Sequence, residues 1–161
     1  MTEIRSWDRA DLPELVRVDQ AATELFRTVG LDLPGDDPAE VLRDAREVLV
    51  TGRPPVGFAA LEAADGRAHL AEIAVLPEHG RRGLGTALLT AALDWARRAG
   101  YPAITLTTFR SVPFNGPWYL ASGFVELPEA EWGPELRRIR AAEEAAGIAV
   151  APRMAMIHPL G

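Results

Sequence analysis

The stretch from His69 to Phe109 limits the possible folds more than any other. "HLAEIAVL" alternates like a half-buried strand, and "PEHGRRGLG" follows it as a loop. The helix expected over Thr86–Ala99 is apolar at Leu88, Leu89, Ala92, Leu93 and Ala96 and stops at Gly100, a usual C-terminal residue. "AITLTTF" then reads as a β-branched strand. Strand, helix and strand in direct succession require a parallel pair joined by a right-handed crossover. The loop also poses a chemical question. Arg81 and Arg82 lie at a helix start, where the dipole disfavours cations, so an anion is expected there.

The remaining elements place that unit in a mixed sheet. "EIRSW" is a short strand, and Asp11 with Pro13 opens a helix with Leu15, Val18, Ala22 and Leu25 on one face. "GLDLPGDDP" is a loop, after which Asp37 caps a short helix with Pro38 in its first turn. "EVLVT", "VGFAALEA" and "HLAEIAVL" form an antiparallel meander with turns at "GRPP" and "ADGR". Beyond "AITLTTF" come a short helix in "PFNGPWYLASG", a strand "FVEL", a helix "GPELRRIRAAEEAAG" and a last strand "RMAMI". The expected class is α/β with mixed α+β character, in one domain over residues 1–161.

Composition removes several chemistries. Cysteine is absent, which excludes a thiolate nucleophile, a disulfide framework and a Cys-ligated metal. Lysine is absent too, which excludes a Schiff base and a phosphate-loop lysine. His79 and His158 lack ligand partners at useful spacing, so no metal is expected. A net charge of −6 argues against a nucleic-acid partner and favours small cationic ones. No apolar run approaches a membrane span and no signal peptide opens the chain, so it reads as cytoplasmic.

Gly80, Gly83 and Gly85 allow backbone to approach a ligand closely, and the arginines add bidentate donors suited to phosphate. The dinucleotide fingerprint does not fit, because Leu88 stands where glycine or alanine is needed. "IAVLP" followed by "GRRGLGTALL" instead resembles the pyrophosphate-binding motif of the GNAT superfamily, the acyl-CoA-dependent N-acyltransferases. One position departs from that pattern: Gly80 replaces the first arginine or glutamine. "NGPWYLASGF" resembles the family's late motif, and "TTFRSVPFNGPWYLASGF" with "PRMAMIHP" is similar to one bacterial branch.

The resemblance implies a mostly antiparallel twisted sheet of about seven strands with one splayed parallel pair. It implies acetyl-CoA as cosubstrate, its diphosphate bound by Arg81, Arg82, Gly83, Leu84, Gly85 and Thr86. Ala74 and Val75 would hold the pantetheine arm, and Asn115 would either bond that arm or cap its own helix. Tyr119 would protonate the leaving thiolate. Glu72 and His69 both qualify as the base that deprotonates the amine, with a water chain as the alternative.

The activity implied is N-acetyl transfer to a small primary amine by direct attack. A non-catalytic acyl-CoA sensor and a protein N-terminal or lysine acetyltransferase remain alternatives. Asp32, Asp36, Asp37, Glu126, Glu129 and Glu131 hint at a cationic acceptor. The four tryptophans and "RRIRAAEEAAG" are expected to be packing and a solvated helix face. Family habit makes a homodimer plausible, with no sequence feature bearing on it.

Overall fold

A computed structural model describes residues 2–34, 37–80 and 82–161. Arg81 and Asp36, both named above, lie outside the described residues. The strands are β1 (Arg5–Ser6), β2 (Glu47–Thr51), β3 (Gly57–Ala64), β4 (Arg67–Val75), β5 (Ala103–Phe109), β6 (Val125–Glu126) and β7 (Arg153–Pro159). The α-helices are α1 (Leu12–Glu24), α2 (Ala39–Asp44), α3 (Leu84–Arg98), α4 (Gly116–Ala121) and α5 (Pro134–Ala145). The described strands form one seven-stranded sheet in the order β1-β2-β3-β4-β5-β7-β6. Every neighbouring pair is antiparallel except β4 and β5, which are parallel, as the strand–helix–strand unit requires.

Helices cover both faces. On one, Leu88, Leu89, Ala92 and Ala96 of α3 pack with Leu61, Leu70, Ile104 and Leu106 of the sheet. On the other, Leu15 and Val18 of α1 pack with Val48, Val50, Phe58, Ala60 and Ala74. This division follows the period-2 alternation of β3, β4 and β5, whose successive side chains face opposite layers. Both layers are apolar, which explains the near-continuous hydrophobic runs in these strands.

Three local features differ from expectation. β1 is only two residues long, because Asp8 starts a one-turn 3-10 helix over Arg9–Asp11 through a reciprocal capping box. α3 begins at Leu84 rather than Thr86, so Leu84, Gly85 and Thr86 lie in its first turn. β4 carries a bulge: Ala60 pairs with Glu72 and Leu61 with Leu70, leaving Ala71 extra. An extra residue bends its strand, and this bend prepares the site described next.

The hairpin turn between β3 and β4 also anchors α5. Asp65 sits at φ 56° and accepts hydrogen bonds from Glu135 N (2.9 Å) and Leu136 N (3.0 Å). The Glu135 side chain accepts in return from Asp65 N at 2.9 Å. This is a capping box formed by residues far apart in sequence. Gly133 makes it possible, since a Cβ there would fall 2.3 Å from the Asp65 carboxyl carbon.

Candidate active site

The parallel pairing of β4 and β5 is brief. Ala68 pairs with Ile104 and His69 with Thr105, and the strands then part. The split begins just before the Ala71 bulge, which bends β4 while β5 continues straight along β7. A cavity of about 340 Å³ fills the gap. Leu70–Ala74 of β4 and Leu106–Phe109 of β5 form two of its walls. Beyond the last β4–β5 pair, the β4 edge facing β5 is left without its neighbour strand. Backbone donors and acceptors there are available to an extended, amide-bearing ligand.

The expected site residues divide into two groups. Glu72, Ala74, Asn115 and Tyr119 line the cavity together. Tyr119 is buried, with its ring edge-on to Trp118 (4.9 Å) and Phe124 (5.5 Å). Burial raises its pKa well above the ordinary phenol value, and the Glu72 charge adds to the rise. The hydroxyl therefore keeps its proton at neutral pH. Asn115 precedes α4 without capping it; its side chain donates to Phe114 O at 3.0 Å.

His69 is placed differently. It is buried at the closed end of the split, outside the cavity lining, with Nδ1 2.9 Å from Thr105 Oγ1. Burial lowers its pKa to about 4, against a smaller upward pull from Glu143 and Asp65. At neutral pH it is an uncharged, weak base.

The glycine loop leads into α3. Gly83 adopts φ 78° immediately before the helix, and nothing lies within 4 Å of the place a Cβ would take. Among the described residues no side chain caps the helix start, which leaves the first-turn amides of α3 open to an anion. The Trp118 ring lies 3.6 Å from the place a Cβ would take at Gly85, an ordinary contact distance, so this helix start abuts the helix that carries Tyr119. Arg82 is exposed, with Nη1 3.4 Å from His79 Nδ1. Val75 ends β4 between the cavity and this loop.

Residues 3–124 match the model of the acetyltransferase (GNAT) family. The chain belongs to the GNAT family. Three solved GNAT-like structures carry the same fold. One is N-acetylglutamate synthase from Neisseria gonorrhoeae, bound to coenzyme A and N-acetyl-glutamate, at 22% identity and TM-score 0.74. The match covers 100% of this chain and 35% of that one, so this chain spans about a third of that relative. The ribosomal-protein-S18-alanine N-acetyltransferase from Escherichia coli aligns at 20% identity and TM-score 0.71, over 100% and 95% of the two chains. A GNAT-family acetyltransferase from Staphylococcus aureus Mu50 aligns at 14% and 0.77, over the whole of both.

The far wall of this GNAT cleft was not legible as a site. Asp19, Thr23 and Phe26 from α1 and the turn after it line the cavity together with Thr107, Glu143 and Arg153. Phe26 packs against Phe109 at 5.4 Å and Phe114 at 5.1 Å, closing that end. Arg153 lies over the Phe109 ring at 4.6 Å, donates to Thr107 Oγ1 at 3.3 Å and pairs with Glu143 at 3.4 Å. Glu143 also accepts from Thr107 and pairs with Arg140 at 2.9 Å. Burial lowers the Arg153 pKa, with Glu143 opposing.

Two expectations are corrected here. The inner face of α5 is not solvated, since the side chains of Arg140 and Glu143 are only 14% and 16% exposed. The acidic residues first tied to the acceptor lie elsewhere. Glu126 pairs with Arg110, Glu129 with Arg137 and Asp32 with Arg27, while Asp37 bonds Ala39 N. None of these, nor Glu131, lines the cavity.

Proposed function

We propose that this GNAT chain transfers acetyl from acetyl-CoA to a primary amine of a small acceptor by direct attack. The observation that carries this reading is the split between β4 and β5, whose cavity is lined by Tyr119 and Glu72. The residues present suit acetyl-CoA, which supplies an activated acyl group as its thioester. The open edge of β4 at Ala74 and Val75 suits the amides of the pantetheine arm. Uncapped amides at Leu84, Gly85 and Thr86, with Gly83 clear of side chain and Arg82 and Arg81 adding charge, suit a diphosphate. Asn115 borders the same cavity.

In this reading Glu72 takes a proton from the acceptor ammonium, leaving the neutral amine to attack the thioester carbon. A backbone amide on the open edge of β4 would stabilise the developing oxyanion. The C–N bond forms as the C–S bond breaks. Tyr119 gives its proton to the departing sulfur, and the second proton of the attacking nitrogen, lost as the amide forms, is returned to Tyr119. Glu72 is preferred over His69 because Glu72 lines the cavity, whereas His69 is outside it and too weakly basic. His69 instead fixes the closed end of the split through Thr105.

The test is thiol release from acetyl-CoA over polyamines, aminoglycosides, amino acids and peptides. The reading expects release that depends on a small amine, with acetylated amine formed in equal amount. Peptide-only turnover would place the chain among protein acetyltransferases, and no turnover with tight acetyl-CoA binding would make it a sensor.

A further inference from the structure

The charges lining the cavity are unequal. Among the described lining residues, Asp19, Glu72 and Glu143 are acidic and Arg153 is basic. Glu143 stands within ion-pair range of Arg153 and Thr107 bonds both, although the buried Arg153 Nε itself makes no hydrogen bond. Asp19 is different. It is only 6% exposed, it forms part of the cavity wall, and among the described residues no hydrogen bond or ion pair reaches its carboxylate. The nearest polar arrangement is main-chain: Thr23 Oγ1 donates to Asp19 O at 2.9 Å.

The Asp19 oxygens open onto the cavity, so solvent or a ligand must supply the partner that the protein does not. Helix packing does not require a carboxylate here, since Leu15, Val18 and Ala22 supply the apolar face of α1. Such a group fits a site in which a ligand supplies the missing cation. An acceptor carrying a carboxylate fits poorly. Its anion would meet Asp19 and Glu72, and the Arg153 guanidinium is already held by Glu143, Thr107 and the Phe109 ring.

We propose that Asp19 binds a second cationic group of the acceptor, which makes the acceptor a diamine or longer polyamine whose other amine reacts beside Glu72. The inference rests on the acetyl-transfer reading for the position of the reacting amine. Its recognition element is separate: α1 supplies Asp19, while β4 and α4 supply Glu72 and Tyr119. A monoamine of equal length would leave Asp19 buried and unpaired, so the site would discriminate against it.

Calorimetric titration of diaminobutane and n-butylamine, with coenzyme A present and no acetyl donor, reads this without turnover. Wild-type protein is expected to prefer diaminobutane by about 10- to 100-fold, the range for a charge-assisted hydrogen bond. Asp19→Asn should remove most of that preference without lowering the melting temperature, because it deletes a charge that lacks a partner. If the asparagine variant does not fold, Asp19→Ser is held to the same outcomes. Equal binding of the two amines by wild type, or a preference unchanged in the variant, overturns the proposal. Diamine binding that depends on Asp19 without thiol release under acetyl-CoA would refute the acetyl-transfer reading alone. Thiol release with no such dependence would refute this inference alone.

Discussion

At the scale of single residues, burial moves the pKa values of Tyr119 and His69 in opposite directions, each toward the neutral form. Tyr119 faces the cavity, and burial holds its proton in place. Tyr119→Phe keeps the ring between Trp118 and Phe124, so melting behaviour and acetyl-CoA affinity should stay near wild type. Turnover should fall by about 10²–10⁴-fold, the range for a positioned acid. Steady-state thiol release checks this, and full activity would reduce Tyr119 to packing. His69 has a folded pKa of about 4 against an unfolded 6.5, so the unfolded chain binds its proton first as pH falls. Its contribution to stability is therefore intact above pH 6.5 and is lost between there and about pH 4. Wild type should lose about 2 kcal/mol more than His69→Gln between roughly pH 7 and pH 5, measured by urea unfolding. Parallel pH profiles would contradict the burial assigned to His69.

Helices and strands were mostly legible because their periodicity is local. The amphipathic run of α3 and the alternation of β2, β3 and β4 each follow from a few neighbouring residues. The Ala71 bulge was not legible, since "HLAEIAV" reads as one even strand until it is registered against β3. The Asp65 cap on α5 was hidden for the same reason: its partners lie 70 and 71 residues away. Arg140 and Glu143 looked like a solvated face because Arg153, the second cation on Glu143, belongs to the last strand. Asp19 carried no signal in the sequence, and its place on the cavity wall is visible only in the fold. Asp65→Ala should cost about 1–2 kcal/mol, as expected for loss of a helix cap, plus a smaller left-handed backbone penalty. Asp65→Asn keeps the tolerated backbone and one acceptor and should cost less. Chemical denaturation separates them, and equal stability of wild type and alanine variant would show that α5 is held by Leu136 packing alone.

At the scale of the whole molecule, one bent strand connects fold to function. β4 must bond β3 along its length, yet it stays with β5 for only two residue pairs, and the bulge accommodates both. The split opens a cavity between the two helical layers, with the glycine loop, α3 and α4 beside it. The glycine motif and the Asn115–Phe124 segment were readable as sequence because backbone demands fix their spacing. The acceptor side was not readable, since side chains from α1, β5, α5 and β7 meet there only in the folded chain. The central claim is that acetyl-CoA occupies this split with its diphosphate at the start of α3. Calorimetric titration of acetyl-CoA into wild type and Gly83→Asn tests it most directly. Asparagine tolerates the left-handed backbone of Gly83, so the variant should fold, while its side chain occupies the space over the free amides. The account predicts one equivalent bound by wild type and affinity lowered at least about tenfold in the variant, the loss expected for one charge-assisted contact. No binding by wild type, or equal affinity in a folded Gly83→Asn protein, would contradict it.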